Sequence, residues 1–393
     1  GDVYKRQVLA LLFLKSANEY YKSNDSFQSD ENKPLLRLLV SERSSFDYLY
    51  KQLGSAELGK LINVALYELE QANSRVIEGY EINRAINFES NILGDTNERL
   101  GKLHELLRLF QKLTLTDDAG KLIDIGALYN QLLYIFAEEA GKKISNVLTP
   151  KEVIGLVAEL IGNNKDNNSL CDPVSGSGTL LVEVGKRVGI RGVGIFGQEA
   201  NWNQYALTKM NLMLNGFKDS TFFWGDSLSN PKLTDGDRLK QFDIVVSIPP
   251  FADKWAIEEA EFDRYERFQY GIPPRSQATW AYISHILASL KPNGRAVVVV
   301  PAGVLFRTSE SKIRHQIIEH NLLETVIELP QNLFYGTAIS TAILVFRKNR
   351  ETTQTLFMDA RKGYISNKGI YKLSDAMVEQ LLNTYKGFLS GEQ

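Results

Sequence analysis

After Thr149-Pro150 the chain changes its rhythm, and that change limits the folds open to it. Seven short apolar runs follow: SLCD (169–172), GVGIFGQE (192–199), TFFWGD (221–226), FDIVVSI (242–248), GRAVVVVPA (294–302), ETVIELP (324–330) and STAILVFRK (340–348). Several are apolar at successive positions, AVVVVP most plainly, and a strand reads that way when both of its faces are covered. Windows of helical periodicity separate them, at 178–188, 201–215, 277–290 and 309–320. Strand and helix in alternation build a mostly parallel sheet with right-handed crossovers. Residues 141–393 are therefore predicted to form a doubly wound α/β domain.

The preceding segment has a different texture. Between residues 8 and 140 apolar residues recur at intervals of three and four, as in Leu103, Leu106, Leu107 and Phe110. Residues 1–140 are predicted to be an all-helical domain, with the polar stretch SNDSFQSDENKP (23–34) as a loop. Two domains also suit a length of 393 residues, which exceeds what one core usually supports. The formal net charge is −2, so a nucleic-acid partner would be held by local basic surface and not by the field of the whole molecule. A single cysteine, Cys171, excludes an internal disulfide and a multi-cysteine zinc site. The four histidines, His104, His285, His315 and His320, lack ligand spacing, so no metal is expected. The longest early apolar run, Val8 to Leu14, is too short to span a bilayer, and the expected location is cytoplasmic.

In an open parallel sheet, ligands bind beyond the carboxyl ends of the strands. Four of those ends carry a polar or glycine signature. In DPVSGSGTLL (172–181), Asp172 closes a strand, Gly176 and Gly178 permit a tight turn around Ser177, and a helix opens behind them. Such a turn brings backbone amides close to a ligand, although strand-to-helix turns also use glycine for purely structural reasons. In GQEANWNQ (197–204), Glu199 can accept the hydroxyls of a ribose, or belong to the N-cap region of the next helix. In WGDSL (224–228), Asp226 can receive a donor from an adenine. The fourth end is VVSIPPF (245–251).

Together these ends resemble the class I S-adenosylmethionine-dependent methyltransferases, and more narrowly the modification subunit of type I restriction-modification systems, an adenine-N6 DNA methyltransferase. The resemblance runs through VLALLFLK (8–15), LTPKEVIGLVAELI (148–161), DPVSGSGTLL (172–181), GQEANWNQYALTKMNLMLNG (197–216), FDIVVSIPPF (242–251), GRAVVVVPAGVLFR (294–307) and LPQNLFYGTAISTAILVFRK (329–348). It implies a seven-stranded methyltransferase sheet behind the helical domain, with S-adenosyl-L-methionine as cofactor. By the same resemblance Asp172, Gly176, Ser177 and Gly178 would cradle the methionine end, Glu199 the ribose and Asp226 the adenine. Thr149 and Pro150 match the segment that folds over the cofactor, where Leu148 stands in place of a common aromatic.

The resemblance also implies what the proline stretch does. An Asn or Asp and the carbonyl that follows it accept both hydrogens of the adenine amine, and an aromatic after the prolines stacks on a base rotated out of the duplex. In this chain Ile248, Pro249, Pro250 and Phe251 occupy those catalytic positions, so an aliphatic side chain replaces the polar one. A flipped amine facing Ile248 forfeits a hydrogen bond, a penalty of about 1–3 kcal/mol. If the loss falls in the transition state, transfer slows by roughly tenfold to a few hundredfold. Ser247 could substitute as acceptor only if a bulge re-aimed it, because side chains alternate along a strand. Two readings stand: a working methyltransferase with a modified loop, or an impaired homologue acting as a cofactor- or DNA-binding scaffold.

The partners implied are double-stranded DNA, a specificity subunit that reads the sequence and a restriction subunit that cleaves. Basic residues at Lys142-Lys143, at Arg347-Lys348 with Arg350, and at Arg361-Lys362 either touch phosphates or only solubilise the surface. Residues 252–276, directly after the prolines, mix aromatics with charge. They are either a DNA contact involving Arg264 and Arg267 or a helix-rich surface insert.

Overall fold

The computed structural model of the chain describes residues 2–22, 38–77, 82–118, 122–140, 149–162, 168–335, 337–367 and 370–391. It separates into two compact units, one of Gly1–Glu139 with Trp202–Ser220 and one of Ala140–Asn201 with Thr221–Gln393. Among the described residues no helix is long and apolar enough to cross a membrane, and no group of three or more His, Cys, Asp or Glu residues could hold a metal ion. The 23–34 stretch, Lys142-Lys143 and Leu148 fall outside the described residues.

The first unit is built on helices α1 (Asp2–Lys22), α2 (Leu58–Ala72), α3 (Thr96–Lys112) and α4 (Ile125–Ala140). The predicted stripe of α3 is buried at Leu103, Leu106, Leu107 and Phe110, and the helix starts in a capping box. Asp95 accepts from the amides of Asn97 and Glu98 while Glu98 reaches back to the Asp95 amide. Apart from an isolated bridge between Thr116 and Leu122, the described residues of this unit form no strand.

The core of this unit also contains Trp202–Leu214, a helix whose sequence window lies among the predicted strands. Every residue from Tyr205 to Leu214 is buried. Its backbone and polar side chains find partners on α4: Tyr129 donates to the Leu207 carbonyl at 3.0 Å, and Asn211 Nδ2 donates to Asn130 Oδ1 at 2.9 Å.

The second unit is a sheet covered by helices α5 (Lys151–Ile161), α6 (Thr179–Val188), α8 (Thr279–Ala288), α9 (Ser311–Glu319) and α10 (Asp375–Ser390), the label α7 being kept for Trp202–Leu214. Its strands are β1 (Leu170–Asp172), β2 (Ile195–Glu199), β3 (Thr221–Trp224), β4 (Phe242–Ser247), β5 (Leu290–Pro301), β6 (Leu323–Glu328), β7 (Thr341–Arg347) and β8 (Leu356–Asp359). Their spatial order is β8-β6-β7-β5-β4-β1-β2-β3, parallel except for β7. All seven predicted strands form. The eighth, β8, extends the sheet beyond the seven expected; it is four residues long with Phe357 70% exposed, so it carries no buried run to betray it.

The apolar run of β5 is buried on both faces, as its sequence requires. Ala296, Val298 and Val300 share one core with Trp280, Ile283 and Ile286 of α8 and with Ile313 and Ile317 of α9. On the opposite parity Arg295 donates to the Ile161 carbonyl at the end of α5, at 3.1 Å. Glu324 of β6 is buried behind that arginine and accepts from Tyr385 of α10 at 2.7 Å, which ties the last helix to the sheet.

Candidate active site at the carboxyl rim of the sheet

Strands β1 to β4 run parallel, so their carboxyl ends meet at one edge. That edge carries Asp172, Glu199, the loop after Trp224 and the stretch from Ser247 to Phe251. The turn after β1 is left-handed at Gly176 (φ +56°) and at Gly178 (φ +75°), the residue before α6. Both glycines are there because other residues resist that conformation. A Cβ on Gly176 would meet nothing within 4 Å, so its backbone fronts open space.

Backbone amides stitch this turn to the neighbouring strand ends. The Gly176 amide donates to Glu199 Oε2 at 2.8 Å and the Asn201 amide to Glu199 Oε1 at 2.7 Å. The Gly225 amide donates to the Glu199 carbonyl at 2.9 Å. Asp226 accepts from the Leu228 amide at 2.7 Å, and buried Gln198 holds the far end of this loop through the Asn230 carbonyl and the Lys232 amide.

Three carboxylates thus share the rim, and the causes that shift Asp172 and Glu199 include no cation. Burial raises Asp172 from 3.8 to about 7, against the bonds from the Val174 amide and Ser247 Oγ, and the charge of Glu199 raises it further. Glu199 is raised in turn, chiefly by burial and also by Asp226, although three backbone amides oppose the shift. A ligand rich in donors and positive charge would reverse these shifts, since an opposite charge favours the ionised form.

The proline stretch leaves β4 at Ser247. Ser247 is fully buried and donates to Asp172 Oδ1 at 3.0 Å, and the only irregularity in the β4–β5 register lies earlier, between Phe242 and Ile244. No bulge re-aims Ser247 toward the position of the missing polar residue; it serves Asp172 instead. Ile248 is half-buried, and Phe251 is buried with its ring edge-on to Phe334, centroids 5.2 Å apart.

The family described as N-6 DNA Methylase matches residues 122–393, which include the whole rim. The chain belongs to that family. Among its relatives is the methylase subunit of the type I restriction enzyme MpnII of Mycoplasma pneumoniae, 31% identical over 303 residues that make up 73% of this chain and 56% of that subunit. The chain therefore spans little more than half the length of that relative. A type I restriction-modification system methyltransferase subunit from Streptococcus thermophilus is similar in structure, with a TM-score of 0.84 and 26% identity, over 98% of this chain and 88% of that one. A Listeria monocytogenes protein described as a class I S-adenosylmethionine-dependent methyltransferase shares the fold at a TM-score of 0.56 and 19% identity, over 88% of this chain and 99% of that one.

The predicted residues fall into three groups. Asp172, Gly176, Ser177, Gly178, Glu199 and Asp226 converge at adjacent strand ends, with Ile248, Pro249, Pro250 and Phe251 on the same edge. Thr149 and Pro150 are buried at the start of α5, which packs on α6. Of the basic clusters within the described residues, Lys348 and Arg350 are engaged in the fold, while Arg361 and Lys362 are exposed. Lys348 donates to the Leu290 carbonyl at 2.8 Å, Arg350 to carbonyls of Leu323 and Gln354, and Arg361 pairs with Asp359. Because β7 is antiparallel, Arg347 lies across from Arg295, away from the rim.

Residues 252–276 are not helix-rich: their only helix is Glu258–Glu261. The segment packs Trp255 and Phe268 with Leu228 and Tyr282 of α8. Arg267, one of the two arginines expected at DNA, is 3% exposed and bonded inward, so it cannot reach a phosphate. Arg264 remains exposed, with its guanidinium on Tyr265. Nothing in the sequence marks Tyr282 as a neighbour of the site. Burial raises its phenol well above the ordinary value, and the charges of Asp226, Asp253 and Glu199 add to this, so the ring stands close to the acidic rim.

Proposed function

We propose that this chain is the catalytic subunit of an adenine-N6 DNA methyltransferase that uses S-adenosyl-L-methionine, and that it works as the modification subunit of a type I restriction-modification system. The observation that carries the reading is the shared rim: an open left-handed glycine turn and three carboxylates, two of them buried and shifted by no cation, beside a proline corner. The resident chemistry suits the cofactor. Asp172 lies next to the turn that would take the charged methionine end. Glu199 keeps acceptor capacity beyond its three backbone bonds and would take the ribose, and Asp226 would take the adenine. When bound, the cofactor supplies an electrophilic methyl on sulfur.

The chain's own task is to make a poor nucleophile reactive. The lone pair of the adenine amine is delocalised into the ring, so acceptors on the amino hydrogens and a fixed ring orientation are needed. The Ile248 carbonyl is one acceptor. Pro249 and Pro250 stiffen the corner by fixing φ at two successive residues. Phe251, braced by Phe334, is the stacking surface for an extruded base. Ile248 supplies no side-chain acceptor, so the reading includes a slow chemical step. A specificity subunit, a restriction subunit, double-stranded DNA and a cytoplasmic location belong to the same proposal.

The test is transfer of labelled methyl from S-adenosylmethionine to DNA by the purified chain with its specificity partner, with N6-methyladenine identified after digestion. Labelled N6-methyladenine is the expected product. Calorimetric cofactor binding without any such product would leave the scaffold reading in its place, and binding of neither cofactor nor DNA would remove both.

A further inference from the structure

The buried arginine in the segment after the prolines has a task that its position in the sequence does not suggest. Arg267 Nη1 donates to the carbonyls of Ser227 at 3.3 Å and Leu228 at 2.9 Å, the two residues that follow Asp226. Asp263 anchors the arginine from behind, accepting Nε at 2.7 Å and the Arg267 amide at 2.7 Å. His285 of α8 lies at 3.5 Å through Nδ1; burial, and then the charge of Arg267, lower it to about 3, so a neutral ring faces the guanidinium. Ser227 in turn donates through Oγ to the Pro173 carbonyl at 2.5 Å. One guanidinium therefore holds the loop that follows β3, and that loop is hooked to the turn that follows β1.

We propose that Arg267 is a positioning residue: it fixes the main chain immediately after Asp226 and so sets the carboxylate that receives the adenine of the cofactor. The inference rests on the proposed cofactor reading for its ligand and on the geometry alone for its mechanics. A phosphate contact is incompatible with 3% exposure. A merely local brace would bond within its own segment, whereas Arg267 Nη1 reaches carbonyls about forty residues away in sequence. Glu266, directly before it, sits at φ +54°, a left-handed conformation that residues with a Cβ resist. Such outliers persist where the surroundings hold them. A planar fork is suited to two carbonyls and a carboxylate at once, and lysine cannot reproduce it.

The experiment compares the full chain with Arg267→Met, Arg267→Lys, Asp226→Asn and the Arg267→Met/Asp226→Asn double variant. Hydrogen exchange reads the loop without any ligand. In Arg267→Met the Leu228 and Asn230 amides, which bond to Asp226, should exchange at least tenfold faster, while the β4 amides of Val245 and Val246 stay protected. Calorimetry with S-adenosylmethionine should show the dissociation constant raised at least tenfold in Arg267→Met and partly recovered in Arg267→Lys. In turnover the KM for the cofactor should rise far more than kcat falls. The double variant should bind within about twofold of Asp226→Asn alone, because a residue acting through another is non-additive with it. Additive losses, or uniform loss of protection across the sheet, would overturn the proposal; if Arg267→Met does not fold, Arg267→Lys carries the same comparison. A wild-type chain that binds no S-adenosylmethionine would sink the cofactor reading, and the exchange data alone would then decide the role of Arg267.

Discussion

Asp172 is the rim residue whose charge should respond to the cofactor, and the size of the response follows from its surroundings. Burial moves its pKa from 3.8 to about 7. Because the folded value lies above the unfolded one, the folded protein without ligand holds an extra proton between about pH 4 and pH 7. Its stability gains up to about 4 kcal/mol as the pH falls through that window, and the gain is lost as the pH climbs back through 7. A sulfonium and an ammonium placed at the rim favour the ionised carboxylate, so binding should expel the proton. With an apo pKa of about 7, the dissociation constant for S-adenosylmethionine should fall roughly tenfold from pH 6 to pH 8 and level off above that. Calorimetry at pH 6 in buffers of different ionisation enthalpy should count close to one proton released per cofactor bound. Asp172→Asn controls for titration of the ligand itself and should flatten both the binding profile and the stability profile. A dissociation constant that does not move with pH in the wild-type chain, or that moves equally in Asp172→Asn, would refute the reasoning.

Three further outcomes test other parts of the structure. Ile248→Asn should raise single-turnover methyl transfer at least about fivefold, since a restored hydrogen bond is worth about 1–3 kcal/mol in the transition state; an unchanged rate would mean that the corner works in some other way. Gly178→Ala places a Cβ at φ +75°, which should cost about 1–2 kcal/mol and lower the melting temperature by a few degrees, and an unchanged midpoint would contradict the left-handed turn. Tyr385→Phe leaves buried Glu324 without its hydroxyl partner, for an expected loss of about 1–3 kcal/mol in urea titration; a loss below about 0.5 kcal/mol would show that Arg295 and Arg347 suffice.

Sequence alone determined the sheet, because a strand buried on both faces must be apolar at successive positions, and Val297 to Val300 can hardly be anything else. It also determined which residues crowd the rim, since parallel strands deliver their carboxyl ends to one edge, and glycines with left-handed φ sit where the turn needs them. Tertiary structure decided what those patterns leave open. The α7 window reads as one more crossover helix, yet Tyr205 to Leu214 are buried on every side, Thr208, Lys209 and Asn211 included, and the window itself does not say which core it enters. Arg267 looks like a surface charge among surface charges, because a sequence shows the charge and not the two carbonyls some forty residues earlier that make its burial tolerable. Tyr282 comes near Asp226 only because α8 packs under that loop. Periodicity reports how much of an element is covered; the identity of what covers it depends on contacts between residues far apart in the chain, and those exist only once it has folded.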